Sequence, residues 1–300
     1  PLMRKLIILA LVGFVAQLVD GSLGMGYGVT SSSLLILAGL TPAAASASVH
    51  FSELGTNIAS GLSHWKLKNV DWRVVSRIAG PGAIGAFLGA TVLSSLSTEA
   101  AAPVMAAILA LLGAYVLARF VIGFAPPKFK NAISFKFLAP LGLFAGFIDA
   151  TGGGGWGPVA TPALLADGRL QPRKVIGSVD TSEFAVSAAA SLGFLVGLGA
   201  AGINWGLALA LLAGGLVAAP LAAVLVRYAP THLLGVAIGG LILLSNSRTL
   251  LKSFGVPADA RWWVYGAILL ITLAGLYVAA ARAKKKADVG TDREAQSVNA

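Results

Sequence analysis

Five carboxylates stand inside long apolar stretches of the chain: Asp20, Glu53, Asp149, Asp180 and Glu183. Between Lys5 and Lys66 the only other charged side chains are Asp20 and Glu53, and between Lys174 and Arg227 only Asp180 and Glu183. A carboxylate at the centre of a membrane helix costs about 2.5–3.5 kcal/mol even on a lenient insertion scale, so acids kept there invite a functional reading, and proton exchange is the chemistry open to them. His50 precedes Glu53 by three residues and Asp180 precedes Glu183 by three, so helix geometry puts each on the face of its glutamate. Histidine changes charge in the physiological range, so His50 beside Glu53 is suited to passing a proton. The plainer alternative is a hydrogen-bonding core histidine. Glu53 and Glu183 also lie about ten residues past the helix-opening Pro42 and Pro172, hence about 15 Å along a helix and near mid-bilayer.

The second set of candidates is a pair of glycine runs. Gly24, Gly26 and Gly28 follow Asp20, and Gly153, Gly154 and Gly155 follow Asp149. Successive amides around glycines, with the positive end of a following half-helix, form an anion-sized concavity. Ser22 and Thr151 add hydroxyls, Trp156 closes the second run, and Ser52 and Ser182 stand next to the two glutamates. These residues are the expected anion contacts. Glu53, Glu183, His50, Asp180, Asp20 and Asp149 are the expected proton-coupling groups. Two plainer roles stay open: the glycines let helices approach closely, and Asp20 and Asp149 accept hydrogen bonds from freed amides at the breaks.

The elements that position these groups are membrane helices. Of 300 residues 57% are hydrophobic and 11% charged, against roughly a quarter charged in a soluble domain. The apolar stretches are long and unbroken, which selects helices over the alternating short segments of a β-barrel. A net charge of +10 arises from short basic clusters between apolar blocks, the pattern of orienting loops rather than of a nucleic-acid surface. No nucleic-acid partner and no cofactor or metal is expected, and the absence of cysteine excludes disulfides and thiolate metal sites. The partners expected are a small anion and the bilayer. Trp65, Trp72, Trp205, Trp262 and Trp263 fall at predicted helix ends, as interface anchors do.

The chain repeats itself. Residues 13–28, GFVAQLVDGSLGMGYG, align with 142–157, GLFAGFIDATGGGGWG, matching Asp20 with Asp149 and Tyr27 with Trp156. After a one-residue adjustment Pro42 meets Pro172, and SVHFSE at 48–53 meets SVDTSE at 178–183. The fold class expected is all-α and polytopic, in two homologous repeats. Each has a glycine-broken helical hairpin and three transmembrane helices, and one extra helix follows. The first repeat spans 1–127, the second 128–255, and the last helix and polar tail 256–300. Helices are predicted at 74–96, 100–122, 205–226, 231–251 and 262–281, with a disordered tail beyond. The segment 6–40 is too long for one crossing, and its glycines mark where a helix unwinds.

If each broken segment re-enters, the copies are inverted. Lys66, Lys68, Arg73, Lys128, Lys130, Lys136, Arg169, Arg173, Lys174, Arg227 and the lysine tail then share the cytoplasmic side, and only Arg4, Lys5, Arg248, Lys252 and Arg261 oppose them. Full crossings would make the copies parallel and place 169–174, Arg227 and the tail outside. The tally favours inversion.

The glycine-bearing hairpins followed by a proline helix carrying Ser-x-x-x-Ser-Glu resemble the TauE/SafE sulfite exporter family, also called the toluene sulfonate uptake permeases. The resemblance spans 13–251. It implies a bacterial inner-membrane, multi-pass permease for small sulfur-containing anions such as sulfite or organosulfonates. The leading expectation is therefore a secondary transporter of small anions coupled to protons. A passive anion channel is the alternative, and an intramembrane enzyme the remote one, since HExxH, GxSxG and GxxxxGK[ST] are all missing.

Overall fold

The computed structural model describes residues 2–298 apart from 24, 123–132, 168, 171 and 226–230. Gly24, Lys128, Lys130, Arg227 and the expected boundary between 127 and 128 thus lie outside the described residues. So do the side chains of Ser22, Arg173 and the tail lysines.

Among the described residues the chain is all helical. The helices are α1 (Leu2–Leu23), α2 (Tyr27–Leu37), α3 (Pro42–Lys66), α4 (Trp72–Ser95), α5 (Thr98–Ile122), α6 (Phe135–Gly152), α7 (Trp156–Asp167), α8 (Pro172–Leu198), α9 (Trp205–Leu225), α10 (Thr231–Ser253) and α11 (Ala258–Val298). By length and composition, α4, α5, α6, Lys174–Leu198 of α8 and Ala258–Arg282 of α11 are able to cross a membrane.

Local chemistry sets the ends. Thr41 caps α3 through its side chain and Pro42 occupies the first turn, where its missing N–H costs nothing. Asp71 caps α4 by accepting from the amides of Arg73 and Val74, and Ser134 caps α6 by accepting from Lys136. Both glycine runs break their helices: α1 gives way to α2 around Gly26 (φ 116°), and α6 to α7 across Gly153 (φ 73°) and Gly154 (φ 147°). Side-chain-bearing residues rarely adopt such φ values. The predicted tail is different from expectation. α11 continues through it to Val298 rather than ending near 281, because alanine, lysine, arginine and glutamate there are strong helix formers.

Lipid supplies no hydrophobic force between helices, so they pack through small residues. α4 and α6 run parallel in close contact: Gly142 faces the Ile78 carbonyl, Gly146 the Gly82 carbonyl, and Gly89 the Phe147 carbonyl. A Cβ on Gly142 would lie 2.7 Å from the Ile78 oxygen. α1 packs on α9 in the same manner, with Gly13 against Leu211 and Leu6 beside Gly206, so the two start at one end. α5 pairs with α10, and α3 crosses α8 at the centre. Among the described residues α11 packs mainly on α10 and α5 and exposes Trp262, Trp263, Leu270 and Tyr277.

Candidate functional site

The two glycine breaks meet. Gly28, in the first turn of α2, lies against Gly153 and Gly154, and a Cβ there would come within 2.6 Å of the Gly154 Cα and 3.2 Å of Glu53 Oε1. The reciprocal contact puts Gly157 of α7 on Met25. Glycine is required at this junction because two backbones touch where any side chain would stand between them.

Each break is held by its own aspartate. Asp149 Oδ1 accepts from the amides of Gly155 (2.7 Å) and Trp156 (2.9 Å) at the start of α7. Asp20 Oδ1 accepts from the amide of Tyr27 (3.2 Å) at the start of α2. The acids thereby sit at the positive ends of the half-helices, and the amides of Gly155, Trp156 and Tyr27 are already engaged. This is the plainer role foreseen for Asp20 and Asp149. Tyr27 and Trp156 then tie each half-helix to its neighbour: the Tyr27 hydroxyl meets Ser52 Oγ at 3.0 Å on α3, and Trp156 Nε1 donates to the Val179 carbonyl at 3.0 Å on α8. Trp156 is fully enclosed, with its ring edge on Gly82.

Beneath the junction lies the crossing of α3 and α8. His50 Nδ1 stands 3.0 Å from Glu53 Oε2 and 3.8 Å from Asp149 Oδ2. Ser187 Oγ donates to the same Glu53 oxygen at 3.1 Å, and Asn57 Nδ2 donates to Ser187 Oγ at 3.4 Å. Phe194 stacks on the His50 ring with centroids 6.0 Å apart. His50 is 0% and Glu53 1% exposed, so this group is sealed. Among the described residues His50 Nε2, Glu53 Oε1, Asp149 Oδ2 and Thr151 Oγ1 are buried with no hydrogen-bond partner. Native proteins leave few such atoms, each of which costs about 1–3 kcal/mol.

The matching group around α8 is arranged otherwise. Asp180 does not join Glu183 as His50 joins Glu53. Its carboxylate lies 3.9 Å from His64 Nε2 near the end of α3, both side chains partly exposed. Glu183 is itself only part-buried, within electrostatic reach of Glu53, Asp20, Asp149 and Asp180. Ser182 Oγ donates to the Val179 carbonyl and Ser52 Oγ to that of Val49, so both hydroxyls are held by their own helices.

Of the expected site residues the structure brings together Gly28, Gly153, Gly154, Glu53, His50 and Asp149, with Ser52 reached through Tyr27, whereas the Thr151 hydroxyl lies toward Gly89 of α4. Gly26 and Gly155 shape the turns, and Asp180 with Glu183 occupies the far side of the crossing. Sequence reasoning did not pick out Asn57, His64, Ser187 and the Tyr27 hydroxyl. Their signal was present as spacing: 50, 53, 57 and 64 fall on one face of α3, and 180, 183, 187 and 194 on one face of α8. Among the described residues no cluster of His, Asp and Glu has the geometry to hold a metal ion.

No solved structure matches the chain. A curated relative, "Probable membrane transporter protein YtnM" of Bacillus subtilis (strain 168), is 50% identical over 276 residues, 91% of this chain and 92% of its own length. The family model for the sulfite exporter TauE/SafE covers residues 9–249, nearly all of the part that holds the broken helices and their acids, and by that match the chain belongs to the TauE/SafE family.

Proposed function

We propose that this multi-pass membrane transporter is a proton-coupled secondary carrier of small anions, sulfite-like or organosulfonate-like, in a bacterial inner membrane. Family membership and the transporter relative support the class. The observation that carries the finer reading is the junction itself: two helix breaks in contact above Glu53, among buried polar atoms that lack partners.

With the amides of Gly155 and Trp156 engaged by Asp149, the groups left for an oxyanion are His50 Nε2 and the glutamate edge at Oε1, and Thr151 would join them only by turning from Gly89. An anion beside Glu53 is repelled unless the carboxyl carries a proton, which then also donates to it. Proton and anion thus favour each other, and the coupling is reciprocal. Gly26, Gly28 and Gly153 to Gly155 shape the cradle, with Ser52, Ser182 and Trp156 at its margin. Asp20, Asp180 and Glu183 extend the proton-carrying set.

The two repeats, 1–127 and 128–255, are read as inverted with re-entrant hairpins. The packing supports this, since α1 on α9 has its counterpart in α6 on α4, and Gly28 on Gly154 has its counterpart in Gly157 on Met25. Half-helix ends meeting at the midplane are how inverted-repeat carriers hold charged substrates. The complete burial of His50 and Glu53 supports a carrier with a closed site over an open channel.

The test is sulfite and sulfonate flux in proteoliposomes as a function of pH. Flux should rise as pH falls, and Glu53→Gln should flatten that dependence. Flux independent of pH in wild type and variant removes the coupling, and single-channel currents replace the carrier with a channel.

A further inference from the structure

One end of the bundle carries a cleft of about 650 Å³, lined by Leu37 at the end of α2, Thr98 and Glu99 at the start of α5, and Arg248, Thr249 and Lys252 on α10. Among the described residues neither Arg248 nor Lys252 makes an ion pair, although Glu99 shares the cleft. Both belong to the five basic residues that oppose the charge bias of the other loops. A cleft with two unpaired cations concentrates anions.

The cleft is continuous with a polar seam. Thr249 and Ser253 fall three and seven residues after Asn246, on one face of α10. Asn246 is 1% exposed, donates to Ser33 Oγ of α2 at 2.8 Å, and leaves its Oδ1 without a partner. The neighbouring Ser32 donates to the Gly153 carbonyl. α2 has 11 residues, so its cleft end lies about 16 Å from its Gly28 end at 1.5 Å per residue. Buried hydroxyl and amide groups thus lead from the cationic cleft to the glycine junction, between helices otherwise rich in leucine and isoleucine.

We infer that this cleft is a collecting site for small anions and that the α2–α10 seam is the route by which they reach the junction. The inference rests on the reading of the chain as an anion carrier and adds where the anion is gathered. Lys252, in the last turn of α10, also faces that helix's negative end. A lipid phosphate shares the chemistry of a soluble oxyanion, so the test separates the two.

The chain has no cysteine, so single cysteines report without background. Thr249→Cys and Asn246→Cys, with Ser33→Cys as a second seam position, are reconstituted in phosphatidylcholine vesicles, with or without phosphatidylglycerol. Each is labelled with an anionic (sulfonatoethyl) and a cationic (trimethylammonioethyl) methanethiosulfonate. The expected result at Thr249→Cys is a preference of about tenfold for the anionic reagent in both lipids. Arg248→Gln with Lys252→Gln should bring it to about one, and Glu99→Gln should raise it. A seam cysteine should be labelled from the same side, more slowly. No preference in phosphatidylcholine, or one that collapses when phosphatidylglycerol is added, overturns the collecting site; the latter assigns the cations to lipid. Unreactive cysteines at both 246 and 33 overturn the route. These rates do not depend on turnover, so a failure here leaves the carrier reading standing, and loss of pH-coupled flux leaves the labelling preference standing.

Discussion

The two sides of the α3–α8 crossing carry matching sequence, SVHFSE at 48–53 and SVDTSE at 178–183, yet one is fully buried and the other part-buried. On the first, His50 and Glu53 form a pair 3.0 Å apart under Phe194, with Asp149 completing the group. On the second, Asp180 turns away to His64, and Glu183 stays part-buried. The difference traces to two substitutions between the copies: histidine against aspartate at 50 and 180, and histidine against phenylalanine at 64 and 194. A cation-capable ring is placed beside the glutamate in one copy and one helical stretch away in the other. Matching sequence thus yields one fully buried group and one that is only part-buried.

The comparison can be broken most severely at the contact the two sides share. Gly154→Val should cost about 3 kcal/mol or more, because a branched side chain at φ 147° is strained and would also collide with Gly28 and Val29. A large fall in melting temperature in detergent, with loss of folded yield, is the expected outcome; a wild-type melting curve would show that the junction opens freely.

Next in size are the glutamates. Glu53→Ala removes the acceptor of both His50 and Ser187 and should abolish flux. Glu53→Gln keeps the volume and stands in for the protonated carboxyl, so the fold should survive and flux should lose its rise with falling pH, a flattening of at least about tenfold between the two ends of the profile. Glu183→Gln, on the part-buried side, should shift the pH dependence with a smaller loss of rate. Equal effects of the two variants would mean that the sides do not differ in function.

Smaller effects should sharpen the contrast. Phe194→His places on α8 the residue that α3 carries at 64, and should give hydronium access to the sealed group; faster deuterium exchange at His50 by infrared spectroscopy is the readout. His64→Gln should lower flux only about two- to threefold, since a partly exposed pair at 3.9 Å contributes about 1 kcal/mol or less.

Much of this arrangement was legible before any coordinates. Glycine cost and proline placement located both helix breaks and the openings of α3 and α8, and the 74–96 and 100–122 predictions match α4 and α5 within two residues. Helical spacing alone placed His50 against Glu53. By contrast, the contact of Gly28 with Gly154 joins segments more than a hundred residues apart, and nothing local encodes it. Asp180 was expected beside Glu183 by the same i, i+3 logic, but His64 from the antiparallel α3 supplies a competing partner that only the packing reveals. The loop amides read as free for an anion are occupied by Asp149, because a buried acid at a half-helix start captures them first. The continuation of α11 was missed because polarity was weighed above helix propensity.

The tips of the two hairpins touch backbone to backbone, with no side chain interposed as a cushion. Whatever lifts one tip must therefore be felt at once by the other, although they belong to different halves of the polypeptide. A change in the packing of either half is thereby passed to the other through bare backbone, with no side chain able to absorb it by changing rotamer.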